Sequence, residues 1–167
     1  MEKNILILSA GRRVELLEVF KKSLKKNRLI KIFTADSNPN FSPACKINKY
    51  SLKLPKCGEK RYTKELLKKC IENNICVVIP TIDDELLILA SKKKIFLKYN
   101  IDLVVSDFKL VNRSNNKLLT KNIFTDLKIK YPKIYDINNL RFPCINKPIK
   151  GSSSKNITIV KSFKDLS

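Results

Sequence analysis

An α/β fold built on a parallel sheet with helices on both faces is predicted by three features of the chain. Short apolar runs alternate with amphipathic stretches. The runs are apolar at consecutive positions, so they suit strands buried on both sides. Turn residues punctuate the boundaries: Ala10-Gly11, Asp36-Ser37-Asn38-Pro39-Asn40 and Pro80.

The elements follow in order. Residues 4–9 read as a buried strand around Ile5-Leu6-Ile7-Leu8. Residues 12–26 read as a helix, with Val14, Leu17, Phe20 and Leu24 on one face and lysines opposite. Residues 29–35 form a second strand. Residues 41–56 are irregular, with one short strand near 50–54. Residues 60–73 are a helix packing through Leu66, Leu67, Cys70 and Ile71. Residues 76–80 are a strand that Pro80 ends. Residues 83–99 are a helix whose first turn carries Asp83, Asp84 and Glu85, which suits the helix dipole. Leu86 to Ala90 is apolar all round, so this helix is expected to be well buried. Residues 101–105 are a further strand. Right-handed crossovers between such strands give a doubly wound, Rossmann-like sheet, whose ligands gather at the carboxyl ends of the strands.

Past Ser106 the pattern changes. Residues 107–112 are a short helical turn and 115–127 a helix. Residues 131–135 are extended, and 141–147 form a strand that enters a Gly/Ser loop. Residues 156–160 form a strand able to pair back on it. Ser162-Phe163-Lys164-Asp165 has the form of a capping-box variant. Two domains are expected, residues 1–106 and 107–167.

Composition removes several function classes. The chain has 167 residues, 43% of them hydrophobic, which is enough for a core. It has no histidine, which excludes Ser-His-Asp and Cys-His chemistry and any Cys/His zinc site. Five cysteines without a CxxC fit no all-cysteine metal site. Cys70 and Cys76 are expected to act as small buried hydrophobes. The net charge of +20 suggests nucleic acid, but lysines number 29 against 6 arginines, and they are scattered over separate helices. Lys, Asn and Ile together supply 65 of the 167 residues, and all three have A/T-rich codons. Codon bias therefore accounts for the charge, and specific nucleic-acid binding is not expected. No run approaches 18 apolar residues, so no membrane span is expected. The N-terminal apolar run is too short for a signal peptide, which leaves the cytoplasm as the expected compartment.

Three loops could carry chemistry. Ser9-Ala10-Gly11-Arg12-Arg13 joins the first strand to the first helix. It is either a tight turn with two solvated arginines or a substrate-anion site using Arg12 or Arg13. Its single glycine does not make a dinucleotide fingerprint, although Asp36 stands roughly where a ribose-binding acid would. Pro80-Thr81-Ile82-Asp83-Asp84-Glu85 either serves the helix dipole or offers a carboxylate to an amine or hydroxyl of a small substrate. Lys147-Pro148-Ile149-Lys150-Gly151-Ser152-Ser153-Ser154-Lys155 is either a phosphate clamp on a hairpin or a flexible Ser-rich tip.

The order of these parts resembles the ATP-grasp superfamily. The N-terminal part looks most like the branch similar to the carbamoyl-phosphate synthase large subunit. The shared motifs are Leu8-Ser9-Ala10-Gly11-Arg12-Arg13, Ala35-Asp36-Ser37-Asn38-Pro39, and Ile79-Pro80-Thr81 followed by Asp84-Glu85-Leu86. Asn116-Lys117 and Lys147-Pro148 before the Gly/Ser loop extend the likeness along the chain. The resemblance implies a Rossmann-like domain followed by the start of an α+β ATP-grasp lobe. It implies ATP-dependent ligation of a small-molecule carboxylate and an amine through an acyl phosphate. Lys117 and Lys147 would contact ATP phosphates, and Ser152, Ser153, Ser154 and Lys155 would form the closing loop. Gly11, Arg12, Arg13 and Glu85 would lie at the substrate end. Two departures stand out: the usual Asp-Lys is Asn116-Lys117, and the glycine after the loop lysine is Asn156. The family's adenine hinge and its Mg-binding Glu and Asn lie beyond Ser167. The chain therefore reads as an N-terminal fragment or truncated ligase without activity alone, with a separately encoded C-terminal half as the partner that would complete it. The rival reading is a stand-alone module that binds a small anion or a partner without catalysis. An exposed apolar patch is expected near Ile145, Ile157, Ile159 and Phe163.

Overall fold

A computed structural model describes residues 3–27, 29–151, 154 and 156–166. The chain divides into two compact units, Met1–Phe108 and Lys109–Ser167. In the first, β1 (Asn4–Ile7) leads to α1 (Val14–Ser23) and β2 (Ile32–Asp36). A 3-10 turn (Pro39–Phe41) and a short helix α2 (Pro43–Lys46) precede β3 (Ser51–Lys53). Then come α3 (Tyr62–Glu72), β4 (Ile75–Ile79), α4 (Asp83–Leu97) and β5 (Asp102–Leu103). The strands form one parallel sheet in the order β3-β2-β1-β4-β5. This is the Rossmann-like α/β architecture expected from the alternation of strands and helices.

The core explains why the strands are apolar throughout. Leu6 and Leu8 point to one face, where they join Phe33, Ala35, Tyr62, Leu66, Cys70, Leu89 and Phe96. Ile7 points to the other, with Ala10, Leu17, Ile32, Ala44 and Cys45. Neighbouring residues of a strand face opposite sides, so a sheet covered twice needs both sets apolar. Buried polar side chains fasten the edges of this core. Asn4 accepts from the Lys31 amide at 2.9 Å and donates to Asn73 O at 2.8 Å. The Asn48 side-chain amide lies 2.9 Å from both Ile32 O and Tyr50 O.

Several expected boundaries move, each for a local reason. The first helix starts at Val14 rather than 12, because Arg13 N bonds Ala10 O in a turn. Its far end unwinds past Ser23 into turns closed by Lys25 N–Lys22 O and Asn27 N–Leu24 O. The second strand begins at Ile32, not 29, because Ile30 N is held by Asn27 O and Leu29 is exposed. Helix α2 went unread within 41–56, although Ser42-Pro43 signals it: the Ser42 hydroxyl accepts from Cys45 N, and Pro43 fills the first helical position. Leu86, Leu87 and Ile88 are only half-buried, so α4 is less enclosed than its apolar run suggests. Cys70 is buried as expected, and burial pushes its thiol up to about 12. Cys76 is only half-buried, its Sγ 3.5 Å from Asn4 O.

The second unit carries α5 (Phe108–Ser114), which starts at the division, α6 (Lys117–Asp126) and a two-stranded antiparallel hairpin, β6 (Cys144–Asn146) with β7 (Thr158–Val160). Ile145 pairs with Ile159. Residues 131–135 form no strand, and β6 is shorter than 141–147 because Pro143 and Pro148 flank it. A 3-10 turn (Phe163–Leu166) follows, and the Asp165 carboxylate accepts from the amides of Lys161 and Ser162, at 2.7 and 3.0 Å. That is the reciprocal half of a capping box.

Candidate functional site

The carboxyl ends of β1, β2 and β4 converge on the loops singled out from the sequence. After β1 the chain turns sharply, with Ser9 at φ +43° and Gly11 at φ +32°. A left-handed serine is costly and needs several contacts to hold it. Here the Thr81 hydroxyl donates toward the carbonyls of Leu8 and Ser9, at 3.0 and 2.9 Å. Ala10 N bonds Ala35 O at 3.0 Å. The Gly11 amide donates to Asp36 Oδ2 at 3.0 Å, and Asn38 N to Asp36 Oδ1 at 3.0 Å. Asp36 therefore locks the Gly11 turn, so the anion this amide faces is the protein's own carboxylate. Arg12 and Arg13 are exposed, and Arg13 Nη2 donates to Thr81 O at 3.1 Å.

Glu85 departs furthest from a dipole-only role. Asp83 and Asp84 are exposed in the first turn of α4, but Glu85 is 2% exposed and lines a cavity of about 230 Å³. Ser9, Asp36, Leu54, Cys57 and Tyr62 share that cavity. Ser9 Oγ and Tyr62 Oη each donate to Glu85 Oε1 at 2.7 Å. Glu85 Oε2 is buried and has no hydrogen-bond partner. Burial pushes this carboxyl above the usual carboxylate range. The Ser9 and Tyr62 hydrogen bonds and the nearby Thr81 backbone oppose that shift, and Asp36 adds to it. Burial and then the Glu85 charge push the Tyr62 phenol upward, so it stays a donor. Burial, Glu85 and Asp84 raise the Cys57 thiol.

Tyr62 was missed from sequence. The signal was there: 62, 66 and 70 recur at helical spacing, and Leu66 and Cys70 face the core, so Tyr62 must point inward one turn earlier.

In the second unit, Asn116 caps α6 by accepting from the amides of Leu118 and Leu119, at 3.0 and 3.2 Å. Lys117 N bonds Ile149 O at 3.0 Å, and its Nζ lies 3.4 Å from Gly151 O. The start of α6 is therefore fastened to the hairpin loop. Lys147 follows β6 directly and is exposed. Gly151, Ser154 and Asn156 all have positive φ, at +147°, +55° and +56°. Ser152, Ser153 and Lys155 lie outside the described residues. The apolar face of the hairpin is open: Ile145, Ile159 and Phe163 are 63%, 67% and 65% exposed, and Ile157 is also exposed.

Exposed lysines beside a Gly/Ser turn suit phosphate oxygens. A resident magnesium does not fit: among the described residues no group of three or more His, Cys, Asp and Glu could hold a metal ion. No helix among them is long and apolar enough to cross a membrane.

Comparisons with known proteins agree with this layout. Among solved structures, the chain is similar to an L-amino acid ligase from Bacillus licheniformis, at 17% identity and TM-score 0.65, over 98% of this chain and 40% of that one. It is similar to Rhizobium etli pyruvate carboxylase, at 11% identity and TM-score 0.70, over 100% and 16% of the two chains. It is also similar to the biotin carboxylase domain of Hydrogenobacter thermophilus 2-oxoglutarate carboxylase, at 13% identity and TM-score 0.67, over 98% and 38%. That domain was solved in complex with MgADP, ADP and bicarbonate. At these identities the likeness is one of fold, and the chain spans less than half the length of each. No curated protein sequence matches it. The family described as "PylC-like, N-terminal domain" matches residues 5–104, which is more than half of the chain. The resemblance to the N-terminal part of ATP-grasp enzymes thus rests on a family as well as on a fold, and the chain belongs to the PylC-like N-terminal domain family.

Proposed function

We propose that this chain supplies the substrate-holding and phosphate-holding start of a cytoplasmic ATP-dependent carboxylate–amine ligase. The carboxyl edge of the sheet, with Gly11, Arg12, Arg13 and Glu85, holds a small substrate. Lys117, Lys147 and the loop of Ser152, Ser153, Ser154 and Lys155 hold the ATP phosphates. ATP supplies the activation of a carboxylate as an acyl phosphate. The chain's own part is to bind and orient through these cations and amides. Gly11 acts by shaping the turn, since its amide already serves Asp36.

The observation that carries this reading is the placement of Lys117. It starts α6 under an Asn cap, and its side chain meets the Gly151 carbonyl of the hairpin loop. No metal step is assigned to the described residues, which form no group of three or more His, Cys, Asp and Glu. These 167 residues are expected to bind ATP without turning it over, with a separately encoded C-terminal ATP-grasp half as the partner that completes the ligase.

Equilibrium binding of a fluorescent ATP analogue to the purified chain tests this. Saturable binding that weakens at least tenfold in Lys117→Ala and Lys147→Ala is expected, with no phosphate release. Binding unchanged by both substitutions would refute the phosphate assignment. Mg-ATP turnover abolished by Lys147→Ala would refute the assignment of catalysis to another chain.

A second reading is favoured by the open hairpin face. Ile145, Ile159 and Phe163 present an apolar surface of the kind that binds a protein partner. A stand-alone binding module would use that face without binding ATP, and the same titration separates the two.

A further inference from the structure

The two oxygens of Glu85 have different fates. Oε1 takes two hydroxyl donors, from Ser9 and Tyr62. Oε2 is equally buried and has no hydrogen bond of ordinary geometry, although the Thr81 backbone lies close enough to the carboxyl to favour its charged form. A buried carboxylate oxygen without a donor is an uncompensated cost, and natural proteins keep few of them. Glu85 lines a cavity with Asp36, Ser37, Lys56 and Cys57, and with Ser9 and Tyr62, whose hydroxyl protons are already given to Glu85. Asp36 brings a second carboxylate, each oxygen committed to one backbone amide and able to accept again. Lys56 is the one cation on the wall; it is exposed, and among the described residues no ion pair joins it to Glu85. Two acids around one small cavity invert the balance of a chain whose net charge is +20.

We infer that this cavity takes the protonated primary amine of a small ligand, with Glu85 Oε2 as its counter-charge and Asp36 and Ser9 Oγ as further acceptors. Three arguments select an ammonium group. It presents three N–H donors, whereas a hydroxyl presents one. A desolvated carboxylate gains most from an opposite charge beside it. Tyr62 meets the site through its hydroxyl, so a quaternary ammonium would find acceptors it cannot use rather than an aromatic cage. A metal ion is the weaker fit, because the described residues form no ligand cluster. The volume of about 230 Å³ lies below the roughly 300–1,000 Å³ of sites for drug-sized molecules. It suits one amine-bearing end of a ligand.

This assignment deepens the substrate-end reading and rests on it, but it needs neither ATP nor a second chain. Its failure would leave the phosphate assignment standing, and the loss of ATP binding would leave this one standing.

The test is an NMR titration of the full chain at pH 7 and 150 mM salt, following the amides of Ser9, Gly11 and Cys57. The probes are n-butylammonium, n-butanol and n-butyltrimethylammonium. Saturable shifts with n-butylammonium are expected, with binding at least tenfold weaker for the other two. Glu85→Gln should weaken n-butylammonium at least tenfold while the rest of the spectrum keeps its dispersion. Asp83→Asn, an exposed acid two residues earlier on α4, should change it less than twofold. If Glu85→Gln does not fold, the three probes on the natural sequence still decide. Equal responses to the three, an unsaturable response to n-butylammonium, or binding that survives in folded Glu85→Gln would overturn the inference.

Discussion

In the sheet unit, Leu6, Leu8, Leu66, Leu89 and Leu103 are wholly buried, whereas the hairpin unit leaves Ile145, Ile159 and Phe163 mostly exposed. Among the described residues of the second unit only Val111 and Val160 are buried. Both regions are rich in apolar side chains, so composition does not separate them. Layering does. A five-stranded parallel sheet with helices on both sides has two covered faces, and each strand residue finds one. A two-stranded hairpin has no second layer and cannot bury its own faces. The polar side chains follow the same division. In the first unit Asn4, Asn48, Ser9, Tyr62 and Glu85 make buried or part-buried bonds across long sequence distances, whereas in the second the side-chain bonds are mostly local caps and turns.

The largest expected effect tests that division directly. Leu66→Ala removes a fully buried side chain from the middle of the larger core and should cost about 2–5 kcal/mol. Urea unfolding followed by circular dichroism measures it. A cost under about 1 kcal/mol would mean that the core reforms around the gap and is not close-packed there.

Next comes the buried polar cluster. Tyr62→Phe keeps the ring but removes one of two donors to Glu85 Oε1, and should cost about 1–3 kcal/mol. Glu85 itself should make stability depend on pH. In the unfolded chain it binds its proton only in the ordinary carboxylate range; folded, burial lets it keep the proton to higher pH. Between those limits the folded state holds more protons, so its contribution to stability falls as pH rises. Glu85→Gln should remove that fall, so the natural chain loses stability relative to the variant as pH is raised through this window. Urea midpoints of the two proteins at several pH values measure it, and parallel pH profiles would show that burial does not govern this carboxyl.

How much of this was legible beforehand depended on the range of the interaction. Ile5-Leu6-Ile7-Leu8, the Pro80 stop and the apolar spacing of the helices are local signals, and the five strands and their alternation with helices along the chain followed from them. The Glu85 cluster was only half legible. Glu85 was singled out as a possible substrate carboxylate, but nothing local says that Tyr62, 23 residues earlier, and Ser9, 76 residues earlier, donate to one of its oxygens. The same holds for Asp36 on the Gly11 amide, which closes a turn that the sequence left open between a tight turn and a substrate-anion site. Ser9 at positive φ was hidden as well, because a serine carries no mark of a left-handed backbone. In the second unit the pairing of β6 with β7 was foreseen, since a hairpin is local.

A smaller effect is expected at Gly11. A Cβ there would meet Ser9 O at 3.6 Å and Asp36 Oδ2 at 3.7 Å, which is ordinary contact, so the cost of Gly11→Ala comes from the backbone at φ +32°. It should be about 1 kcal/mol. A neutral result in urea unfolding would mean that the turn relaxes out of the left-handed region.

The smallest effect on stability is expected at Ile159, and it sharpens the comparison most. Ile159 lies on the hairpin opposite Ile145 and is more than half exposed, so Ile159→Ser removes little buried area. Its effect on unfolding should stay within about 0.5 kcal/mol, the range of ordinary surface substitutions. The same change should be far more visible in association. An open apolar face that serves a partner loses affinity when a central side chain becomes polar, while one that merely sits in water changes nothing measurable. Sedimentation of the natural chain and of Ile159→Ser, over a range of concentrations and with a candidate C-terminal half added, separates the two. Equal sedimentation throughout would make the hairpin face solvent surface. A variant that unfolds like the natural chain but no longer associates would make it an interface, and the two units would then differ in what covers their apolar side chains: helices of the same chain in one, another molecule in the other.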